Sequence, residues 1–126
     1  MSGLCIAAAS LLAFLPLQSF TLAWTHSIEK IRWEEDWHIE LGLLYLVEAR
    51  IRGSGAGMEP PQGAILDNGV WRYAPRLAPQ KSLRLANSTF TSGYELCVGG
   101  RCRPLAELAS GAENVPLELY ACEGKK

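Results

Sequence analysis

The chain has 126 residues, a formal net charge of −1 and a sequence pI near 6.1, with 48% hydrophobic and 20% charged residues. That size suits one domain with one real core. The near-neutral balance excludes the broad basic footprint of a nucleic-acid binder or an anionic-membrane binder, which leaves a single domain over 1–126 that meets a small molecule or another protein.

Residues 1–25 carry no charged side chain, and Leu4 to Leu17 is almost wholly apolar. The run lacks the basic n-region of a secretory signal, is too short for a transmembrane helix, and holds Pro16, which disturbs a helix. It reads as two strands, Leu4–Ala8 and Leu11–Leu17, joined at Ala9-Ser10. On that reading the chain is cytoplasmic or begins downstream of a targeting segment.

The next run, Phe20 to His26, alternates strictly and puts Phe20, Leu22, Trp24 and His26 on one face. Ile31, Trp33, Glu35, Trp37 and Ile39 form a second period-2 row. Its opposite face, Arg32, Glu34, Asp36, His38 and Glu40, reads as solvated and acidic, without the spacing of an EF-hand calcium loop. After a turn at Leu41-Gly42, a third row of Leu43, Tyr45, Val47, Ala49 and Ile51 is expected, with Glu48, Arg50 and Arg52 turned outward. Three alternating strands with short connections predict an antiparallel meander with one wet face.

Gly53 to Pro61 is a Gly/Pro-rich loop. Asp67-Asn68-Gly69 between two apolar runs is a strong hairpin signal. Lys81–Ala86, Tyr94–Cys97, Arg101–Arg103 and Val115–Cys122 complete the strand candidates, and Pro104–Ser110 is the one plausible helical turn. The expected fold is an all-β antiparallel sandwich or open barrel built from hairpins, with at most one short helix near 104–110.

Four cysteines occur. In Cys97-Val98-Gly99-Gly100-Arg101-Cys102, the glycines fit a type I′ turn, which needs positive φ at both central residues. Val98 and Arg101 then form the hydrogen-bonded pair, and the cysteines face each other as the closer, non-hydrogen-bonded pair. A disulfide is favoured there over free thiols or a metal site, because structural zinc needs four ligands and the histidines are distant in sequence. Cys5 and Cys122 lie near opposite ends and could staple them together.

Among candidate sites, His26 and Glu35 share a face if their strands pair, and an imidazole near a carboxylate beside indoles suits ligand binding or proton transfer near neutral pH. Ser27 points to the other face from His26, so it reads as a turn residue and not as a nucleophile. Gly55 and Gly57 in the glycine loop could present backbone N–H groups to an anion, with Arg52 just before them supplying charge. The blander reading of each is a satisfied polar pair at the edge of the core and a turn that needs positive φ. No helix follows the loop, so it is neither a dinucleotide fingerprint nor a P-loop.

The run Phe20-Thr-Leu-Ala-Trp-Thr-His26-Ser27-Ile28-Glu29-Lys30, with Trp33-Glu34-Glu35, Gly53–Met58 and Cys97–Leu105, resembles a family of short bacterial proteins known as domain of unknown function 1850. The resemblance implies an accessory role in solute uptake at the cell envelope, since members are often encoded beside TAXI-type TRAP transporters. Many members begin with an anchoring or export segment, which is absent or degenerate here. The family brings no activity. No nucleophile–base–orienter set, cofactor motif or metal cluster assembles either, so no catalytic residue, metal or cofactor is expected.

The function expected is therefore a non-enzymatic binding module on the periplasmic side of the envelope. It would engage a transporter component or a small anionic solute through His26, Glu35, Arg52, Gly55 and Gly57. The alternatives are a small enzyme with His26 as acid–base and Glu35 as its partner, and a purely structural domain.

Overall fold

A computed structural model of the chain describes residues 2–8, 11–25, 31–52, 63–85, 93–108 and 115–124. The uncharged N-terminal run forms strands, β1 (Ser2–Ala8) and β2 (Leu11–Leu15), paired antiparallel from Leu4↔Leu15 to Ala8↔Leu11. On its other edge β1 pairs antiparallel with the last strand of the chain. Between β2 and that strand come β3 (Ser19–Thr25), β4 (Arg32–Glu40), β5 (Leu43–Arg52), β6 (Ile65–Asp67), β7 (Val70–Tyr73), β8 (Ser82–Leu85), β9 (Glu95–Val98) and β10 (Arg101–Pro104). A single helical turn, α1 (Leu105–Leu108), precedes β11 (Leu117–Glu123).

Two sheets result, one of four strands in the order β2-β1-β11-β8 and one of seven in the order β10-β9-β3-β4-β5-β7-β6. Every pairing in them is antiparallel. Leu4, Ile6, Leu117 and Leu119 from the smaller sheet share one core with Phe20, Leu22, Trp37, Ile39, Leu44 and Leu96 from the larger. This is an open sandwich, not a closed barrel. Each large side chain buried there contributes roughly 1.5–3 kcal/mol. Leu105 of α1 plugs the same core, and its N–H donates to the Tyr94 carbonyl at 2.9 Å.

The hairpin turns follow the sequence closely. Leu41-Gly42, Asn68-Gly69 and Gly99-Gly100 all have positive φ, as two-residue type I′ connections require. Leu41 is the exception in residue type, a fully exposed leucine held in the left-handed region.

β5 departs from the expected row. Leu44, Ala49 and Ile51 are buried, while Val47 is exposed. The register explains it: Asp36 opposes Glu48 and Trp37 opposes Leu46, so Val47 has no partner and forms a β-bulge. One extra residue flips side-chain parity, and Leu43, Tyr45 and Val47 therefore do not share the core face with Ala49 and Ile51.

Both cysteine pairs are disulfides, Cys5–Cys122 and Cys97–Cys102. The first ties β1 to β11 in the smaller sheet, and the second crosses the β9–β10 hairpin at directly opposed positions.

Candidate functional site

Strand β4 divides its carboxylates between the two faces of the larger sheet. Outward, the Arg32, Glu34 and Asp36 part of the row expected to be solvated and acidic joins a dense ion-pair network, while His38 and Glu40 at its other end stay open to solvent. The Arg50 guanidinium donates to both Asp36 oxygens at 2.6 and 2.7 Å, to Glu48 at 2.7 Å and to Glu34 at 3.1 Å. Arg32 donates to Glu34 at 3.0 Å and reaches across β3 to Glu95 at 2.7 Å. Ala23, on the strand crossed, is fully covered. Arg52 donates to Glu34 at 2.9 Å, and Arg72 to Glu48 at 3.3 Å.

These pairs set the protonation of the outer face. Burial pushes Glu34 up, but hydrogen bonds from Arg32, Arg50 and Arg52 outweigh it and hold the carboxyl below its ordinary value. Arg50, helped by the Thr21 hydroxyl, holds Asp36 low against a smaller opposing effect of burial. Arg50 is raised in turn, mainly by Asp36. Alternation alone puts Glu48 and Arg50 on the outer face, but which carboxylates they meet depends on the β4–β5 register, which the bulge at Val47 sets.

Inward, Glu35 has a different environment. In register it lies between Leu22 and Ala49, with Tyr73 beyond Ala49 on β7. The adjacent row runs Trp24, Trp33, Ile51, Trp71 across β3, β4, β5 and β7. Trp24 stacks on Trp33 with centroids 6.2 Å apart and meets Tyr94 in a tilted contact at 5.5 Å. These aromatic side chains and Glu35 are half-buried.

Among the described residues no cation pairs with Glu35. The Trp37 indole N–H donates to it at 3.3 Å. Burial raises the Glu35 carboxyl above its ordinary value, and the indole offsets this only in part. Tyr73 and Tyr94 are raised as well, first by their own burial and then by the Glu35 charge. A carboxyl pushed up by desolvation, two phenols that sense it, and a wall of indoles occupy one end of the inner face. Such a perturbed group, with no ion-pair partner among the described residues, marks a candidate site.

Of the residues predicted from sequence, Glu35 takes its expected place on the face of Leu22, Trp24 and Trp33. Arg52 lies on the opposite face, engaged with Glu34, so the fold does not bring it to Glu35. His26, Ser27, Gly55 and Gly57 lie outside the described residues. Tyr73 and Tyr94 were missed, although period-2 alternation in Val70–Tyr73 and from Tyr94 to Leu96 marks them as sharing a face with Trp71 and Leu96. Among the described residues, no group of three or more His, Cys, Asp or Glu side chains is placed to hold a metal ion.

The chain is thus a disulfide-stapled β-sandwich protein, with one sheet face crossed by ion pairs and the other carrying a carboxyl among aromatics that has no cation partner among the described residues. It belongs to the family described as Domain of unknown function (DUF1850), whose sequence profile matches residues 20–105. The matched stretch takes in nearly all of the seven-stranded sheet and the Cys97–Cys102 bridge. It leaves out β1, β2 and β11. No curated protein and no solved structure matches the chain.

Proposed function

We propose that this protein is a non-catalytic binding module, an accessory to a TAXI-type TRAP solute transporter on the periplasmic side of the bacterial envelope. It engages its partner through the Glu35 corner. The observation that carries the binding half is Glu35 itself, a half-buried carboxyl without a described cation, walled by Trp24, Trp33, Trp37, Tyr73 and Tyr94. The transporter half rests on the genomic company that the family resemblance implies. Two disulfides suit an oxidising compartment, and no described helix is long and apolar enough to cross a membrane.

The chemistry of the corner selects the ligand class. A carboxylate framed by indole and phenol faces attracts ammonium or guanidinium groups through charge and cation–π contact. An acidic solute needs a cation at the same place; among the described residues none stands there, since Arg50 and Arg52 both engage carboxylates on the opposite face. The partner group is therefore cationic, carried by the solute or by a basic side chain of a transporter component.

Tryptophan fluorescence tests this, because Trp24 and Trp33 line the site. Titration with arginine, tetramethylammonium and succinate should give saturable changes with the cations alone, and Glu35→Gln should remove them. Response to succinate alone would reverse the assigned ligand charge. Turnover of any solute that disappears in both His26→Ala and Glu35→Gln would replace the binding reading with an enzyme.

A further inference from the structure

The Cys97–Cys102 bridge is built differently from the terminal one, and the difference is chemical. Its cysteines are five residues apart, against 117 for Cys5–Cys122. The stabilisation a crosslink gives rises with the loop it closes. A hairpin already fixed by Gly99-Gly100 and strand pairing therefore gains little from the bond. By the same thermodynamic cycle the folded protein protects this bond weakly and the terminal bond strongly.

Access and charge point the same way. Cys102 is exposed on the edge strand β10, whereas Cys97 is buried beneath it on β9. The Arg32 guanidinium reaches both sulfurs, its Nη2 lying 3.8 Å from Cys102 Sγ and 3.9 Å from Cys97 Sγ. Exposed Arg101 and Arg103 flank Cys102 in sequence. A guanidinium at a sulfur favours the thiolate, which makes that sulfur a better leaving group.

From this geometry we infer that Cys97–Cys102 is a thiol–disulfide exchange site for a dithiol partner. The partner's thiolate attacks exposed Cys102 Sγ, the Cys97–Cys102 bond breaks, and Cys97 leaves with the electron pair as a thiolate held by Arg32. The partner's second thiol, once deprotonated, attacks its own sulfur in the mixed disulfide and releases Cys102. Two electrons and two protons pass from the dithiol to the cysteine pair, and the partner departs as a disulfide. Backbone pairing keeps the hairpin closed throughout.

The test uses the oxidised full chain in graded dithiothreitol under native conditions, with alkylation and mass-spectrometric mapping. Cys97 and Cys102 are expected to open at concentrations that leave Cys5–Cys122 intact, with the β-sheet circular dichroism retained. Arg32→Gln should slow the opening several-fold. Opening of Cys5–Cys122 first, opening of both bonds together, or opening only with loss of the sheet signal would overturn the inference. The order of opening in the unaltered chain decides the matter even if Arg32→Gln folds poorly.

Discussion

Glu34 and Asp36 on one side of β4, and Glu35 between them on the other, are carboxyl groups of one strand with opposite fates. The outer two are held ionised by a lattice of arginines. The inner one is desolvated among aromatic rings and accepts a hydrogen bond from an indole N–H. Strand alternation alone sends them to different faces, but what each face supplies makes one set structural and the other available. A fold that pairs Glu34 and Asp36 with arginines but, among the described residues, gives Glu35 no cation keeps a group whose ionised form costs stability, as binding sites commonly do.

The sharpest way to break this contrast is to delete Val47. Without the bulge, either Leu44 and Leu46 or Ala49 and Ile51 leave the core, and Glu48 and Arg50 lose their alignment with Asp36. The loss exceeds about 4–5 kcal/mol, the range of severe mutations. The variant should fail to give a cooperative unfolding transition by circular dichroism.

Arg50→Ala comes next. The Arg50 side chain is 12% exposed and serves Glu34, Asp36 and Glu48, and Glu34 is equally covered. Removing it strands partly buried carboxylates, at about 2–4 kcal/mol by urea denaturation, below the fully buried case because Asp36 and Glu48 are open to water by a third.

Glu35→Gln should act in the opposite sense. The amide still accepts from the Trp37 indole but carries no charge to desolvate, so the variant should be more stable than the wild type near neutral pH, by roughly 1 kcal/mol. The effect depends on pH with a definite sign. Glu35 is raised above its ordinary 4.5, so its penalty is absent below that value and grows as pH rises through the raised pKa. The gain in Glu35→Gln should therefore vanish in acid.

The outer face has the reverse dependence. Glu34 and Asp36 are lowered from 4.5 and 3.8, so their stabilisation is complete above those values and is lost as pH falls through their depressed pKa values. In Arg50→Ala that acid loss should be smaller, which urea midpoints measured from neutral pH to pH 3 would reveal.

Much of this was legible in the sequence. Strict alternation in β3 and β4, three turn dipeptides and the Cys97–Cys102 spacing each encode local geometry, and local geometry is what a sequence states most directly. β5 was misphased because Leu43 to Val47 is apolar at every position, so nothing marks the parity that the bulge changes. The outer network was invisible for a different reason. A charged residue on an alternating strand looks solvated until the neighbouring strand's register is known, and Arg50 and Arg72 arrive from β5 and β7. Alternation puts Glu35 on the observed face and Arg52 on the opposite one, where it donates to Glu34, so strand parity itself separates the two residues.

The most direct measurement is a pH titration of the Glu35 side-chain carboxyl by carbon NMR, in the free protein and with saturating arginine. The free carboxyl should titrate above the ordinary value of 4.5 and fall toward or below it when the cation binds. An ordinary or depressed free value that arginine leaves unmoved would contradict the account.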